Sequence, residues 1–157
     1  MNTCDDNPGV IAPPPILYAG ALGTGLAIDL LLLRTPTGLP GALRYGLAIL
    51  LVVAASALIV SAFGRFCRAG TPAEPWQPST SIVTDGVYAF TRNPMYVAML
   101  LFYLAIAIAV DSIIALVFLV PLLTVMHYGV VLREERYLEA KFGDPYRHYK
   151  HAVRRWI

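Results

Sequence analysis

No charged side chain interrupts residues 45–63, which read YGLAILLVVAASALIVSAF. A helix needs about 20 apolar residues to cross the roughly 30 Å hydrocarbon core of a bilayer, and this stretch is long enough to do so. We therefore expect a membrane-spanning helix here, and the rest of the chain has to be compatible with it.

Three further apolar stretches occur, at residues 15–33, 95–110 and 113–128. Only Asp111 and Ser112 separate the last two, which predicts a tight helical hairpin. Each of these two stretches is slightly short for a span, and we expect the second helix to continue into the polar tail that follows.

Composition supports a membrane protein of the all-α class. Hydrophobic residues make up 57% of the 157-residue chain and charged residues only 14%, whereas soluble domains carry about 25% charged residues. Four helices this apolar on every side would leave a soluble bundle without a polar surface. We expect one membrane-embedded domain over residues 1–157, with polar chemistry in a loop at 84–96 and a tail at 129–157.

The positive charges are distributed unequally between the loops. With four spans, the N-terminus, the segment 64–93 and the tail share one side of the membrane, and Arg34 and Arg44 lie on the other. The basic residues on the first side are Arg65, Arg68, Arg92, Arg133, Arg136, Lys141, Arg147, Lys150, Arg154 and Arg155. Loops rich in arginine and lysine stay in the cytoplasm, which predicts cytoplasmic termini and an even number of spans.

Several other classes of site have little support. Cys4 and Cys67 are too few for a disulfide framework, and no cysteine–histidine cluster has metal-ligand spacing, so we expect no metal. The net charge of +2 does not indicate nucleic-acid binding. Asp5 and Asp6 stand where a secretory signal would be basic, so we expect the first apolar stretch to be retained.

The first span contains two unusual features. Its glycines Gly20, Gly23 and Gly25 predict close helix packing rather than a phosphate-binding loop, because they lie inside an apolar helix. Asp29 is an acidic residue within a span and is by default a functional candidate. Because it lies near the outer end, we expect a paired or surface-reaching structural role.

The first concentration of polar chemistry precedes the third span. Asp85 and Gly86 indicate a turn, and Asn93 followed by Pro94 predicts an N-cap with proline in the first helical position. The free N–H groups of such a helix start, with Arg92 beside them, would attract an anion. The same residues are also compatible with a capped helix and an arginine among the lipid headgroups.

The second concentration follows the fourth span. Helical spacing places His127, Val131 and Glu134 or Glu135 along one face, close to the membrane surface. Desolvation there makes an unpaired carboxylate costly, so we expect partners for the glutamates. The alternative is an exposed helix whose arginines and glutamates pair with one another.

The C-terminal tail then changes direction. Gly143 is expected to end the helix and Pro145 to prevent its resumption. Tyr146 and Tyr149 begin a short amphipathic segment that we expect on the membrane interface.

An arginine, a helix start, two carboxylates and several aromatic side chains together suit a zwitterionic ligand. S-adenosylmethionine is one such ligand, since it carries an α-carboxylate, an α-ammonium, a ribose, an adenine and a sulfonium. Local chemistry does not by itself select it over other anionic ligands.

Two sequence motifs, one before the third span and one in the tail, are more specific for a protein family. Residues 86–96, GVYAFTRNPMY, resemble a motif of the isoprenylcysteine carboxyl methyltransferase family and its phospholipid methyltransferase relatives. Residues 134–157 resemble the ending of the same family, with Glu-Glu-x-x-Leu and Phe-Gly-x-x-Tyr elements. The resemblance covers about residues 70–157, and implies a helical membrane enzyme that uses S-adenosylmethionine and is closed by its C-terminal segment.

The resemblance also implies roles for individual residues. Those it assigns to the cofactor pocket are Arg92, Asn93, Pro94, Tyr96, Glu134, Glu135, Tyr146 and Tyr149. The first four would shape the cofactor end, the glutamates would bind its polar groups, and the tyrosines would help to close the pocket. Proximity adds Tyr88 and His127, and the candidate catalytic residues are Arg92, Glu135 and His127.

The acceptor implied by the resemblance is lipophilic or lipidated and arrives from the bilayer lipids. No dedicated general base stands out, which favours an acceptor that is already anionic, such as the carboxylate of an isoprenylcysteine-type C-terminus. An amine of a phospholipid or a small thiol is the alternative within this class. Outside it, the chain could be a non-catalytic membrane subunit that docks a partner through its arginines and glutamates.

Overall fold

The computed structural model describes residues 7–74 and 76–156, and within these ranges the chain is helical with no strand. Cys4 lies outside the described residues. The four apolar helices are α1 (Pro14–Leu33), α2 (Gly41–Ala69), α3 (Pro94–Val110) and α4 (Ile113–Phe142). A short amphipathic helix, α5 (Asp144–Ala152), follows them, and one turn of 3-10 helix occupies Gly86–Ala89.

The apolar helices confirm an all-α, multi-pass membrane protein. α1, α2 and α4 are each long and apolar enough to cross a bilayer. α3 is equally apolar, but its 17 residues span only about 26 Å at 1.5 Å per residue. α4 continues past residue 128 into the polar tail, as predicted, through a π-turn at His127–Val131, and ends at Phe142.

Contacts at one end of the bundle, here called the far end, join the α1–α2 connection to the α3–α4 turn. The Ile113 amide donates to the Thr35 carbonyl at 3.1 Å, and the Thr37 amide donates to Asp111 Oδ1 at 2.9 Å. Arg44, at the start of α2, forms an ion pair with Asp111 at 2.5 Å. The four helices therefore run alternately up and down.

The opposite end, here called the polar end, collects the remaining loops and the tail. The Ile11 amide donates to the Gly129 carbonyl at 3.2 Å, and the Arg133 guanidinium donates to the Gly9 carbonyl at 2.7 Å. The backbone before α1, the loop between α2 and α3 and the tail after α4 thus share one end, as the distribution of basic residues predicts.

Side-chain size determines how α2 packs. Ala48, Ala55 and Ala62 recur every seven residues, so they lie on one face, and they are buried where α2 packs along α3. Large apolar side chains such as Leu50 and Val60 on other faces are exposed. An exposed apolar surface of this kind is stable against lipid and would be costly against water.

α1 and α4 approach each other closely at Gly25. A Cβ atom placed on Gly25 would lie 2.9 Å from the Cα atom of Ala115, so only glycine fits. Gly20 and Gly23 have no neighbour within 4 Å at the corresponding position. The predicted packing role therefore holds for Gly25 and is wrong for the other two, because only one of the three faces α4.

Asp29 is buried at the far end and accepts hydrogen bonds from the amide of Thr35, at 2.9 Å, and from its hydroxyl. These bonds hold the chain where α1 ends in a π-turn at Asp29–Leu33. Of the roles open to an acidic residue in a span, the structure gives Asp29 the paired structural one.

The tail after α4 follows the prediction. Gly143, at φ +61°, does end α4, but α5 begins at the next residue with Pro145 in its first turn. α4 does not resume, and the amphipathic segment that the sequence predicts is a separate helix, since the first turn of a helix does not need the amide hydrogen that proline lacks.

Replacing Gly25 should separate α1 from α4. We expect Gly25→Ala to lower the melting temperature of the protein in detergent, because the new methyl group meets the Ala115 backbone. Gly20→Ala is the matched control and should be neutral or stabilising by about 0.5–1 kcal/mol, since alanine favours a helix. Equal melting temperatures for the two variants would contradict the close contact.

Candidate functional site

A cavity of about 290 Å³ opens at the polar end of the bundle. This volume is at the lower limit of the roughly 300–1,000 Å³ typical of ligand sites. Its walls come from the start of α1, the end of α2, the loop that follows α2, the first turns of α3, the polar part of α4, and α5. Every loop and tail collected at this end contributes to one hollow.

The cavity has a polar side and an apolar side. Arg92, Glu134 and Glu135 lie on the polar side. The apolar wall includes Pro15 and Phe63, two exposed residues on the lipid-facing surfaces of α1 and α2. The hollow therefore extends from buried charges to the apolar surface of the protein.

Nine of the ten candidate residues line this cavity. They are Tyr88, Arg92, Asn93, Pro94, Tyr96, Glu134, Glu135, Tyr146 and Tyr149. The exception is His127, which lines a separate surface groove with Tyr128 and Trp156. The π-turn at His127–Val131 changes the helical register, so His127 does not share the face of the glutamates as regular spacing predicted.

Glu135 is the centre of the polar side. Its carboxylate is 6% exposed and lies 3.0 Å from Nη1 of Arg92, which is 8% exposed. Arg155, from the tail, donates from Nε to Oε1 at 2.7 Å and from Nη2 to Oε2 at 2.9 Å. A buried carboxylate of this kind is stable because two guanidinium groups compensate for its lost hydration.

Arg92 retains donors that the protein does not use. Its Nε and Nη1 atoms are buried, and neither has a hydrogen-bond partner within the described part of the chain. The Nη1 contact with Glu135 is an ion pair without hydrogen-bond geometry. Buried donors are nearly always satisfied in proteins, so unused ones beside a cavity indicate a place for a polar ligand.

Glu134 is held differently from its neighbour. The hydroxyl of Tyr96 donates to Glu134 Oε1 at 2.5 Å, and the hydroxyl of Tyr18 donates to the Tyr96 carbonyl at 3.2 Å. Among the residues described, the partner of Glu134 is this neutral hydroxyl and not a cation. Its carboxylate can therefore receive a positively charged group from a ligand.

The tail is attached to the loop before α3 through its backbone. The Arg92 amide donates to the Arg154 carbonyl at 3.0 Å, and Asn93 Nδ2 donates to the Arg155 carbonyl at 2.8 Å. Asn93 precedes α3 as predicted, but its side chain makes no cap hydrogen bond and holds the tail instead. Sequence spacing could not reveal this role because the partner lies 62 positions away.

Two tyrosines of α5, Tyr146 and Tyr149, line the cavity. The hydroxyl of Tyr149 donates to the Tyr88 carbonyl at 2.8 Å, which fixes α5 against the 3-10 turn. Burial and the neighbouring Glu135 carboxylate raise the pKa of Tyr146 to about 12, although Arg92 acts in the opposite direction. Tyr146 therefore stays neutral near pH 7.

The structure also identifies lining residues that sequence reasoning missed. The loop after α2 contributes Glu74 and Trp76, and the last turns of α2 contribute Phe66. The only local signal is the density of prolines with one acidic and one aromatic residue in this loop, which indicates an ordered connection but no particular ligand.

Comparisons with known proteins identify a family that this chain matches. The family model described as phospholipid methyltransferase matches residues 43–145, which is more than half of the chain. No solved structure matches the chain significantly.

Two relatives are similar over shorter regions. The chain is 41% identical over 63 residues to a Haemophilus influenzae protein described as uncharacterized, which covers 40% of this chain and all of that protein. It is 31% identical over 72 residues to the protein-S-isoprenylcysteine O-methyltransferase of Schizosaccharomyces pombe, which covers 46% of this chain and 30% of the yeast enzyme. Together with the family match, these similarities show that the chain belongs to the phospholipid methyltransferase family and is a membrane methyltransferase.

Proposed function

We propose that this protein transfers a methyl group from S-adenosylmethionine to a lipophilic acceptor. The observation that carries the proposal is the pair of buried, unused donors of Arg92 beside a cavity that also contains the cation-free carboxylate of Glu134. A ligand with a carboxylate and an ammonium on the same carbon would satisfy both groups at once.

Each side chain has a defined part in binding the cofactor. Arg92 receives the α-carboxylate through a charge-assisted hydrogen bond, and Glu134 receives the α-ammonium. The ion pair with Glu135 holds the Arg92 guanidinium in place. Tyr88, Tyr146 and Tyr149 cover the remaining surface with aromatic rings, against which an adenine can lie.

The site promotes the reaction mainly through alignment and exclusion of water. When bound, S-adenosylmethionine supplies a methyl group on a positively charged sulfur. Positioning of two reactants can contribute about 7–11 kcal/mol to lowering a barrier. The apolar wall from Pro15 to Phe63 gives a lipophilic acceptor a route from the bilayer and keeps the reaction away from bulk water.

We propose the carboxylate of an isoprenylcysteine-type group as the acceptor, because an anionic acceptor needs no base and His127 lies outside the cavity. The charges of the lining favour an amine as a second candidate. Among the described lining residues, Glu74, Glu134 and Glu135 are acidic and Arg92 is basic, an excess that attracts a cation. An amine would also lose a proton, which Glu74 could accept because Glu134 holds the α-ammonium.

We further propose that the polar end faces the cytoplasm. Ten of the twelve arginine and lysine residues belong to the loops and tail collected there, against two at the far end. This excess follows the positive-inside rule and would give the site access to cytoplasmic S-adenosylmethionine.

Binding of S-adenosylhomocysteine separates an enzyme from a non-catalytic docking subunit. We expect the purified protein to bind it in calorimetric titrations, and Arg92→Gln to weaken binding about ten- to hundredfold, the cost of a lost charge-assisted hydrogen bond. Arg68→Gln, which removes an exposed arginine at the same end, should bind normally. Absence of binding to the unmodified protein would overturn the proposal.

Transfer of a labelled methyl group identifies the acceptor. In lipid nanodiscs, we expect label in farnesylcysteine and not in phosphatidylethanolamine or a small thiol. Glu74→Gln should increase the rate with farnesylcysteine, because it removes a negative charge beside an anionic acceptor. Label in phosphatidylethanolamine, with a lower rate in Glu74→Gln, would select the amine instead.

Cysteine labelling tests the orientation. In a background carrying Cys4→Ser and Cys67→Ser, we expect Pro36→Cys at the far end to react with an impermeant maleimide on intact cells. Gln77→Cys at the polar end should react only after lysis. Both positions are exposed, so the reverse pattern would show the opposite orientation.

A further inference from the structure

Arg155 contributes to the site although neither motif spacing nor the cavity lining singles it out. Its guanidinium donates hydrogen bonds to both carboxylate oxygens of Glu135, at 2.7 Å and 2.9 Å. Two parallel hydrogen bonds of this kind fix the plane and the rotation of the carboxylate. Arg155 is 31% exposed, whereas Glu135 is 6% exposed, so the tail supplies a charge from the surface to a buried acid.

The hydrogen bonds from Arg155 to Glu135 determine which donors of Arg92 remain unused. Glu135 is the nearest acid to Arg92, and a carboxylate with both oxygens free would bind the Arg92 guanidinium through two hydrogen bonds. Arg155 already makes the two-bond approach to the pair of oxygens, and Arg92 makes only an ion-pair contact with Oε1 at 3.0 Å. The Nε and Nη1 donors of Arg92 consequently remain unused.

Backbone contacts of the tail hold Arg155 beside the loop that carries Arg92. The Arg155 carbonyl accepts hydrogen bonds from Asn93 Nδ2 at 2.8 Å and from the Thr91 hydroxyl at 3.3 Å. Asn93 and Thr91 flank Arg92 in the sequence, so Arg155 is attached to the same loop that carries Arg92. Two guanidinium groups around one carboxylate also leave the cluster with a net charge of about +1 at neutral pH.

We infer that Arg155 is a positioning residue that neutralises and holds Glu135 so that Arg92 stays available for the carboxylate of the ligand. This inference rests on the proposed function. It assigns the tail a role in the affinity for the ligand, in addition to covering the cavity. Without Arg155, Glu135 turns its free oxygens towards Arg92, occupies its donors and removes the net positive charge.

Two ligands that differ in their amino-acid end test this role. S-adenosylhomocysteine carries the α-carboxylate and the α-ammonium, and 5′-methylthioadenosine carries the same nucleoside without either group. We expect Arg155→Gln to weaken S-adenosylhomocysteine binding at least about tenfold and to leave 5′-methylthioadenosine binding within about twofold. Arg136→Gln, which removes an exposed arginine whose Nε donates to the Leu132 carbonyl, is the control and should bind both ligands normally.

The pair of ligands also separates positioning from a structural effect. If Arg155 only held the tail in place, its loss would open the whole pocket and weaken both ligands equally, which would overturn the inference. Retained 5′-methylthioadenosine binding shows that the variant is folded and that the nucleoside part of the pocket is intact.

A double variant tests the path through Glu135. In Glu135→Gln the acid that competes for Arg92 is gone, so adding Arg155→Gln should cause no further loss of S-adenosylhomocysteine binding beyond about twofold. Additive losses would mean that Arg155 acts without Glu135 and would overturn the inference.

The outcomes for this inference and for the proposed function are distinguishable. If the unmodified protein binds neither ligand, the proposed function fails. If the unmodified protein binds S-adenosylhomocysteine and Arg155→Gln binds it equally well, the cofactor site stands and the role of Arg155 is wrong.

Discussion

The bilayer core offers no hydrogen bonds to a charged side chain, and this constraint organises the whole protein. The apolar helices expose large side chains such as Leu50 and Val60 to lipid, and small residues such as Ala55 and Gly25 let them pack closely. Charged groups are consequently confined to the two ends of the bundle. At the far end they join the helices, and at the polar end they form the site.

The polar end is built around a buried carboxylate. Glu135 would be costly to bury alone, and Arg92 and Arg155 together compensate for that cost. Because Arg92 belongs to the loop before α3 and Arg155 to the tail, the ion cluster joins two distant segments of the chain. The same contacts that stabilise the closed tail also orient the group proposed to bind the ligand.

Much of this could be predicted from sequence because it depends on local properties. Residues 45–63 are apolar throughout and must span the membrane, and Asn93 with Pro94 must start a helix. Prediction failed where one turn of backbone departs from regular geometry, because the π-turn at His127–Val131 moves His127 away from the cavity.

Composition, apolar length and motif order by themselves determined the fold class, the number of apolar helices and nine of the residues that line the cavity. These properties depend on neighbouring residues and on transfer of side chains into lipid. Only the tertiary structure decided that Arg155 reaches Glu135, that Asn93 holds the tail and that Arg92 keeps unused donors. Those contacts join positions 20 and 62 residues apart, and their geometry arises only when the tail folds back over the helix ends.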